Sequence, residues 1–137
     1  MNLRNLAILG ALAILMGGAW LAQRQYEKQP EAAAGKRPSV KVEAERLLQD
    51  FMRDEATADD RYNDRVLAVE GSVREVGAPR GGKVIVLLNT GNPLAAIACE
   101  FDVKDLPRLS PGDRVTVKGY CAGHNLDVLL QRCALSD

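Results

Sequence analysis

Three cysteines, a single histidine and a run of carboxylates are the side chains best equipped for chemistry in this sequence. Cys99 alternates with Ile97 and Phe101, so the three share one strand face, and a small thiol there is an ordinary core residue. Cys121 and Cys133 flank the last hairpin. In an oxidising compartment they could form a disulfide. A hairpin turning near His124 sets Cys121 opposite Asp127 and Cys133 opposite Val115. A bridge needs Cα atoms within about 7 Å, so the Cys121–Cys133 pair requires Cys121 to leave its strand and curl back. Cys99–Cys133 is the alternative pair, because the third and fifth strands of a five-stranded barrel are neighbours. Three free thiols are the remaining possibility. No Cys-x-x-Cys and no Cys/His cluster with zinc spacing occurs, so no metal is expected.

His124 sits in a Gly-His-Asn stretch that reads as a turn. A general base must reach the proton it removes, and no recognisable motif sets a Ser or Cys beside it. The expectation is a solvated turn residue. The carboxylates Asp54, Glu55, Asp59, Asp60 and Asp64 lack the alternation and the glycine of a calcium loop. They read as a solvated helix face, with Asp54 and Glu55 capping a helix break or pairing with arginines of the barrel. Residues 77–82 are glycine-rich and include Arg80, which could cradle an anion, but no phosphate-loop pattern is present. No catalytic residue and no cofactor is assigned, and the chain is not expected to be an enzyme. The positions left for ligand contact are two loops, one at Arg80 and one at His124 and Asn125.

The elements that must carry these loops are mostly strands. Pro111-Gly112-Asp113 launches a segment in which Val115 and Val117 alternate with Arg114, Thr116 and Lys118, and Gly119 ends or bends it. Residues 67–74 alternate in the same way, with Gly71 marking a bulge or bend. Residues 84–88 and 95–101 read as the second and third strands, and residues 127–135 as the fifth. The connection at 102–110 reads as a loop with a short helical turn near 104–109. Before the strands, Ala44, Leu47, Leu48, Phe51 and Met52 recur at helical spacing, and Ala58 and Tyr62 extend the stripe. A break is expected near Arg53-Asp54, with Asp54 as cap. The predicted fold is mainly β: a five-stranded OB-fold barrel preceded by an amphipathic α-helix, with an N-terminal transmembrane helix.

The transmembrane reading rests on residues 6–22, which carry no charge and are bounded by Arg4 and Arg24. As a helix this run spans ~26 Å, enough to cross a thin bilayer. Trp20 lies near one end, where indoles favour the interface. No small-x-small site ends the run, so an uncleaved anchor is preferred to a signal peptide. Ala32-Ala33-Ala34 is cleavable but far downstream, and the lack of a cysteine after the run argues against a lipoprotein anchor. The expected organisation is a tail at 1–4, an anchor at 5–22, a linker at 23–39 and the barrel at 40–137. Arg24, Lys28, Lys36 and Arg37 outweigh Arg4, which by the positive-inside rule puts the barrel in the cytoplasm. A short tail before a signal-like run favours export, and the reading adopted is a single-pass bacterial inner-membrane protein with an extracytoplasmic barrel.

Several strings together resemble one family. They are Phe51-x-x-Asp-Glu-x-x-Ala-Asp-x-x-Tyr62, Val69-x-Gly-x-Val73, Cys99-x-Phe101, the Pro111-to-Gly123 segment with Cys121, and Asp127-Val128-x-Leu130-x-x-Cys133. Over about residues 43–135 the chain resembles the tRNA anticodon-binding-like family of small bacterial OB-fold domains, often membrane-anchored or exported. The resemblance implies the barrel and raises nucleic acid as a ligand. Two features oppose that ligand. Residues 40–137 hold thirteen Lys/Arg against sixteen Asp/Glu, a balance of −3, where phosphate binding relies on cations. Aromatic residues are only 4% of the chain, and base stacking needs them. The function expected is therefore a membrane-tethered binding or adaptor module at the cell envelope, with a protein, peptide or glycan partner. The alternatives are a single-stranded nucleic-acid binder and a structural subunit of a membrane complex.

Overall fold

A computed structural model describes residues 2–26 and 33–136. The chain divides into two compact units, Met1–Pro30 and Glu31–Asp137. The first holds helix α1, Leu3–Tyr26. Its stretch Leu3–Trp20 is long and apolar enough to cross a membrane, and Leu6, Ile8, Leu12, Ile14 and Met16 are all exposed. The helix continues past the anchor expected to end at residue 22, because Gln23, Arg24 and Gln25 are good helix formers with no Gly or Pro among them. The middle of the expected linker, residues 27–32, lies outside the described residues, as does Ala32 of the alternative cleavage site.

The second unit is the barrel with two helices. Its elements are β1 (Val40–Glu43), α2 (Ala44–Arg53), α3 (Glu55–Tyr62), β2 (Val66–Val76), β3 (Lys83–Leu88), β4 (Ile97–Asp102), β5 (Arg114–Asn125) and β6 (Asp127–Ser136). β2, β3 and β4 form an antiparallel meander. β4 then pairs with β6 in parallel, β6 with β5 antiparallel, and β5 closes the barrel on β2. This is the five-stranded mixed barrel anticipated from the alternation. β1 adds to it by pairing in parallel with the first half of β2, from Val40↔Leu67 to Glu43↔Glu70. β1 was not foreseen, because Val40-Lys41-Val42-Glu43 offers only two alternating valines.

The core is built from inward residues of β2 to β6: Val69 and Val73, Val86 and Leu88, Ile97, Cys99 and Phe101, Val117 and Cys121, Val128 and Leu130. Leu47, Leu48 and Phe51 of α2, with Ala58 and Tyr62 of α3, pack into the same cluster. Met52, counted in the stripe, is instead exposed. The break between the helices falls at Asp54, whose side chain accepts from the Thr57 N–H at 3.2 Å and from its hydroxyl at 2.8 Å. These bonds hold the exposed Asp54 carboxyl below its ordinary pKa. The Pro-Gly-Asp turn is fixed in a similar way. Asp113 accepts from the Ser110 N–H at 2.9 Å, and Val73 exchanges backbone bonds with Gly112 and Asp113.

Three local expectations need correction. Gly71 sits in regular register opposite Val115, and the irregularity lies at Val73–Glu75. Gly71 instead admits α2, since an added Cβ would lie 3.0 Å from the Ala44 Cβ. Of the two expectations for Gly119, an end is excluded because β5 runs on to Asn125, while the β5–β6 register shifts there, between Lys118 and Tyr120. The helical turn in the next connection is at Val103–Asp105, overlapping only the start of the stretch expected.

Candidate binding face

The two expected ligand loops stand at opposite ends of one outer face. Arg80 is exposed at the tip joining β2 and β3, where it bridges to Lys83. Lys83 pairs with Asp102 at that end of the β3–β4 ladder, and Leu88 pairs with Ile97 at the other. Ile97 in turn neighbours Val128, beside the β5–β6 turn that carries His124 and Asn125. The five residue steps of β3 separate the two ends by ~17 Å. The loops therefore bracket the face formed by β3, β4 and the start of β6, the location at which OB barrels bind.

Alternation decides what this face presents. Outward residues fall into rows across the strands: Lys83 with Asp102, Ile85 with Glu100, and Leu87 with Ala98 and Leu129. The Arg80 end is charged. Lys83 Nζ lies 2.8 Å from Asp102 Oδ1, and Arg132 and Lys104 add positive charge around that carboxylate. The hydrogen bond between them raises the Lys83 pKa and lowers that of Asp102. The His124 end is aliphatic, and it opens into a hollow of about 320 Å³ between Ala98, Leu129, His124, Asn125 and Asp127. Asp127 fixes its rim by accepting from the Ala96 N–H at 2.8 Å. Apart from the His124 imidazole at the hollow, no aromatic side chain lies on this face among the described residues. Phe51, Tyr62 and Phe101 are all in the core.

His124 is not the solvated turn residue expected. It lies at the end of β5 with its side chain only 18% exposed. The imidazole stacks on Phe51 with ring centroids 5.6 Å apart, and Nδ1 lies 3.9 Å from Glu55 Oε1. The cause is a bulge at Ala122–Gly123, where Gly123 takes φ 105° and shifts the register between Cys121 and His124. The true turn residue is Leu126, at φ 63° and 66% exposed. His124 thus forms a wall of the hollow, while Asn125 is exposed at its lip.

The cysteines are three buried free thiols. Cys121 faces Leu130 rather than Asp127. Cys133 does not face Val115. It lies in a second bulge, between the pairs Lys118↔Ala134 and Tyr120↔Gln131, with Arg132 at φ 53°. There it turns inward opposite Gly119, beside Cys99. Of the two expected pairings, the Cys99–Cys133 neighbourhood is the one the register creates. Burial raises the Cys133 pKa, and the hydrogen bond with Cys99 adds to it. Burial also raises Cys121, whose thiol donates to Asn63 Oδ1 at 3.6 Å.

A family model described as tRNA_anti-like matches residues 1–135. Among solved structures, the chain is similar to a candidate nucleic acid-binding lipoprotein from Klebsiella pneumoniae subsp. pneumoniae MGH 78578. That match has a TM-score of 0.58 at 20% identity, over 72% of this chain and 93% of that one. A candidate aspartyl-tRNA synthetase from Leishmania major Friedlin matches with a TM-score of 0.43 at 10% identity, over 78% of this chain and 22% of that one. No curated relative matches the chain.

Proposed function

The chain belongs to the tRNA_anti-like family, and from that premise we propose that it is a membrane-tethered, non-catalytic binding module for a protein or peptide partner. The observation that carries this reading is the row Leu87–Ala98–Leu129, an aliphatic floor between two loops. Such a floor buries apolar side chains of a partner. It gives a base no ring on which to stack. Glycans fit it less well for the same reason. Helix α1 acts as an uncleaved single-pass anchor in a bacterial inner membrane, with the barrel outside the cytoplasm. A topology reporter fused after Asp137 tests the compartment; activity of a cytoplasm-only reporter would reverse the orientation.

The binding test uses the full chain in its membrane. A photo-crosslinking residue replacing Leu87 or Leu129 is expected to give a discrete protein adduct. The same residue replacing Glu70, which pairs with Glu43 of β1 and Thr116 of β5 away from this face, is not. Leu129→Glu combined with Leu87→Glu should abolish the adduct formed from a crosslinker at Asn125. Adducts from all positions alike would remove the face from consideration.

Single-stranded nucleic acid is the second reading. It is favoured by the description of the Klebsiella protein and by the cations Lys83, Lys104 and Arg132 around Asp102. A salt-dependent mobility shift of an oligonucleotide by the full chain, lost on Lys83→Glu, would establish it over the peptide reading.

A further inference from the structure

A second hollow, of about 540 Å³, lies on the outer side of β1, β2 and β5. Its floor includes Ala68 and Thr116, and its rim is the strap of residues 36–41, with Lys118 rising from β5. The strap is fixed to the barrel. Ala33 is fully buried, the Ser39 N–H donates to the Val66 carbonyl at 2.8 Å, and Lys118 Nζ donates to the Ala34 carbonyl at 2.7 Å. The acceptors of Lys118 are neutral carbonyls, so its charge is not balanced by an acid. Among the described residues Arg37 and Lys41 pair with no carboxylate. Two acids, Glu70 and Glu43, also line the hollow, and both face Arg114, at 2.8 and 3.9 Å. Positive charge is thus concentrated at one hollow of an otherwise acidic barrel.

We propose that this hollow binds the phosphate of an anionic phospholipid headgroup. Arg37 presents a fork matched to two phosphate oxygens, Lys41 and Lys118 add point charges, and the Thr116 hydroxyl in the floor adds a donor. The source is argued from the order of the chain. Arg37 and Lys41 follow the end of α1 at Tyr26 by eleven and fifteen residues. That order keeps them near the bilayer to which α1 tethers the barrel, where cationic side chains are attracted to anionic headgroups within a Debye length. No aromatic ring lines the hollow, so it offers a nucleic acid charge without stacking. The inference rests on α1 lying in a membrane, as proposed above.

The test uses full-length protein in nanodiscs of phosphatidylcholine, alone or mixed with phosphatidylglycerol, and follows backbone hydrogen exchange across residues 34–43. Exchange is expected to be roughly tenfold slower with phosphatidylglycerol, as basic side chains engage the anionic surface. Arg37→Ala with Lys41→Ala should erase the difference, Lys41→Arg should keep it, and Arg37→Lys, which keeps the charge but loses the fork, should reduce it. Unchanged exchange in β4 and β6 shows that the variants are folded. Equal exchange in the two discs, with the protein inserted, overturns the proposal. Equal protection by inorganic phosphate in phosphatidylcholine discs overturns the lipid as source, and protection by an oligonucleotide alone overturns it in favour of nucleic acid. Failure of the chain to float with the discs overturns the membrane tether, and this inference with it.

Discussion

Asp50 joins the two short helices to each other. Its carboxylate takes Arg46 Nε at 2.9 Å within α2 and the Tyr62 hydroxyl at 2.6 Å from the end of α3, with Arg61 at 4.0 Å. Burial works against its charge, but the bonds from Tyr62 and Arg46 and the two guanidinium charges outweigh it, so its pKa is lowered. A lowered pKa stabilises the fold above the unfolded value of about 3.9, and the contribution is lost as pH falls through the folded value. Asp50→Asn should therefore flatten the acid limb of the stability profile below about pH 4. Tyr62 is pushed up to about 12, first by burial and then by Asp50, so its share is lost only in strong alkali, from 10 upward. Tyr62→Phe removes a donor from a carboxylate and should cost about 1.5–3 kcal/mol in urea unfolding. The cysteines give a second test at this scale. The three thiols are buried, and burial raises the pKa of Cys121 and Cys133, so all three should resist alkylation in the native protein and react once it is denatured. A stable bridge found by mass spectrometry between any two of them would contradict the free-thiol state.

Gly119 and Cys133 show how two strands settle a close approach. A Cβ on Gly119 would lie 2.6 Å from the Cys133 Sγ and 3.1 Å from the Leu130 Cβ. Gly119→Ala should therefore destabilise by about 1–3 kcal/mol through overpacking. Cys133→Ala should be mildly destabilising alone, yet should recover much of that loss in the double variant. A thermal-melt cycle showing simple additivity would mean that the contact is not the cause. This pair also marks the limit of what the sequence could say. Val115, Val117, Ile97, Cys99 and Phe101 announced their strands because alternation is a local signal. The bulges at Ala122–Gly123 and at Arg132 are set by how β5 and β6 bend around the core, and no local pattern announces them. Each bulge inserts a residue and reverses which side chains face inward from there on. Uninterrupted alternation therefore sends His124 to solvent and sets Cys133 opposite Val115, although the hairpin itself is legible. Arg80 was legible as part of a connection, whereas His124 and Asn125 close strand β5 ahead of the turn at Leu126. Their placement at opposite ends of one face depended on the β4–β6 pairing, a contact distant in sequence.

At the scale of the molecule, the question is where the tether ends and the barrel begins. Sequence composition put that boundary at residue 40, since Gly35, Pro38 and scattered charge read as linker. The fold moves it earlier. Ala33 is buried, Lys118 holds the Ala34 carbonyl, Ser39 bonds to Val66, and β1 extends the sheet along β2. The strap and β1 are thus part of the folded unit, and they also form the basic hollow. A chain starting at residue 31 should melt as one cooperative unit close to the full-length protein in detergent. A chain starting at residue 44 loses the half-buried Val40 and Val42 and the parallel ladder to β2. It should be less stable by about 2–4 kcal/mol, from lost apolar burial and backbone bonds. Equal stability of the two would mean that residues 33–43 are only a tether, and the basic hollow would then have no fixed rim.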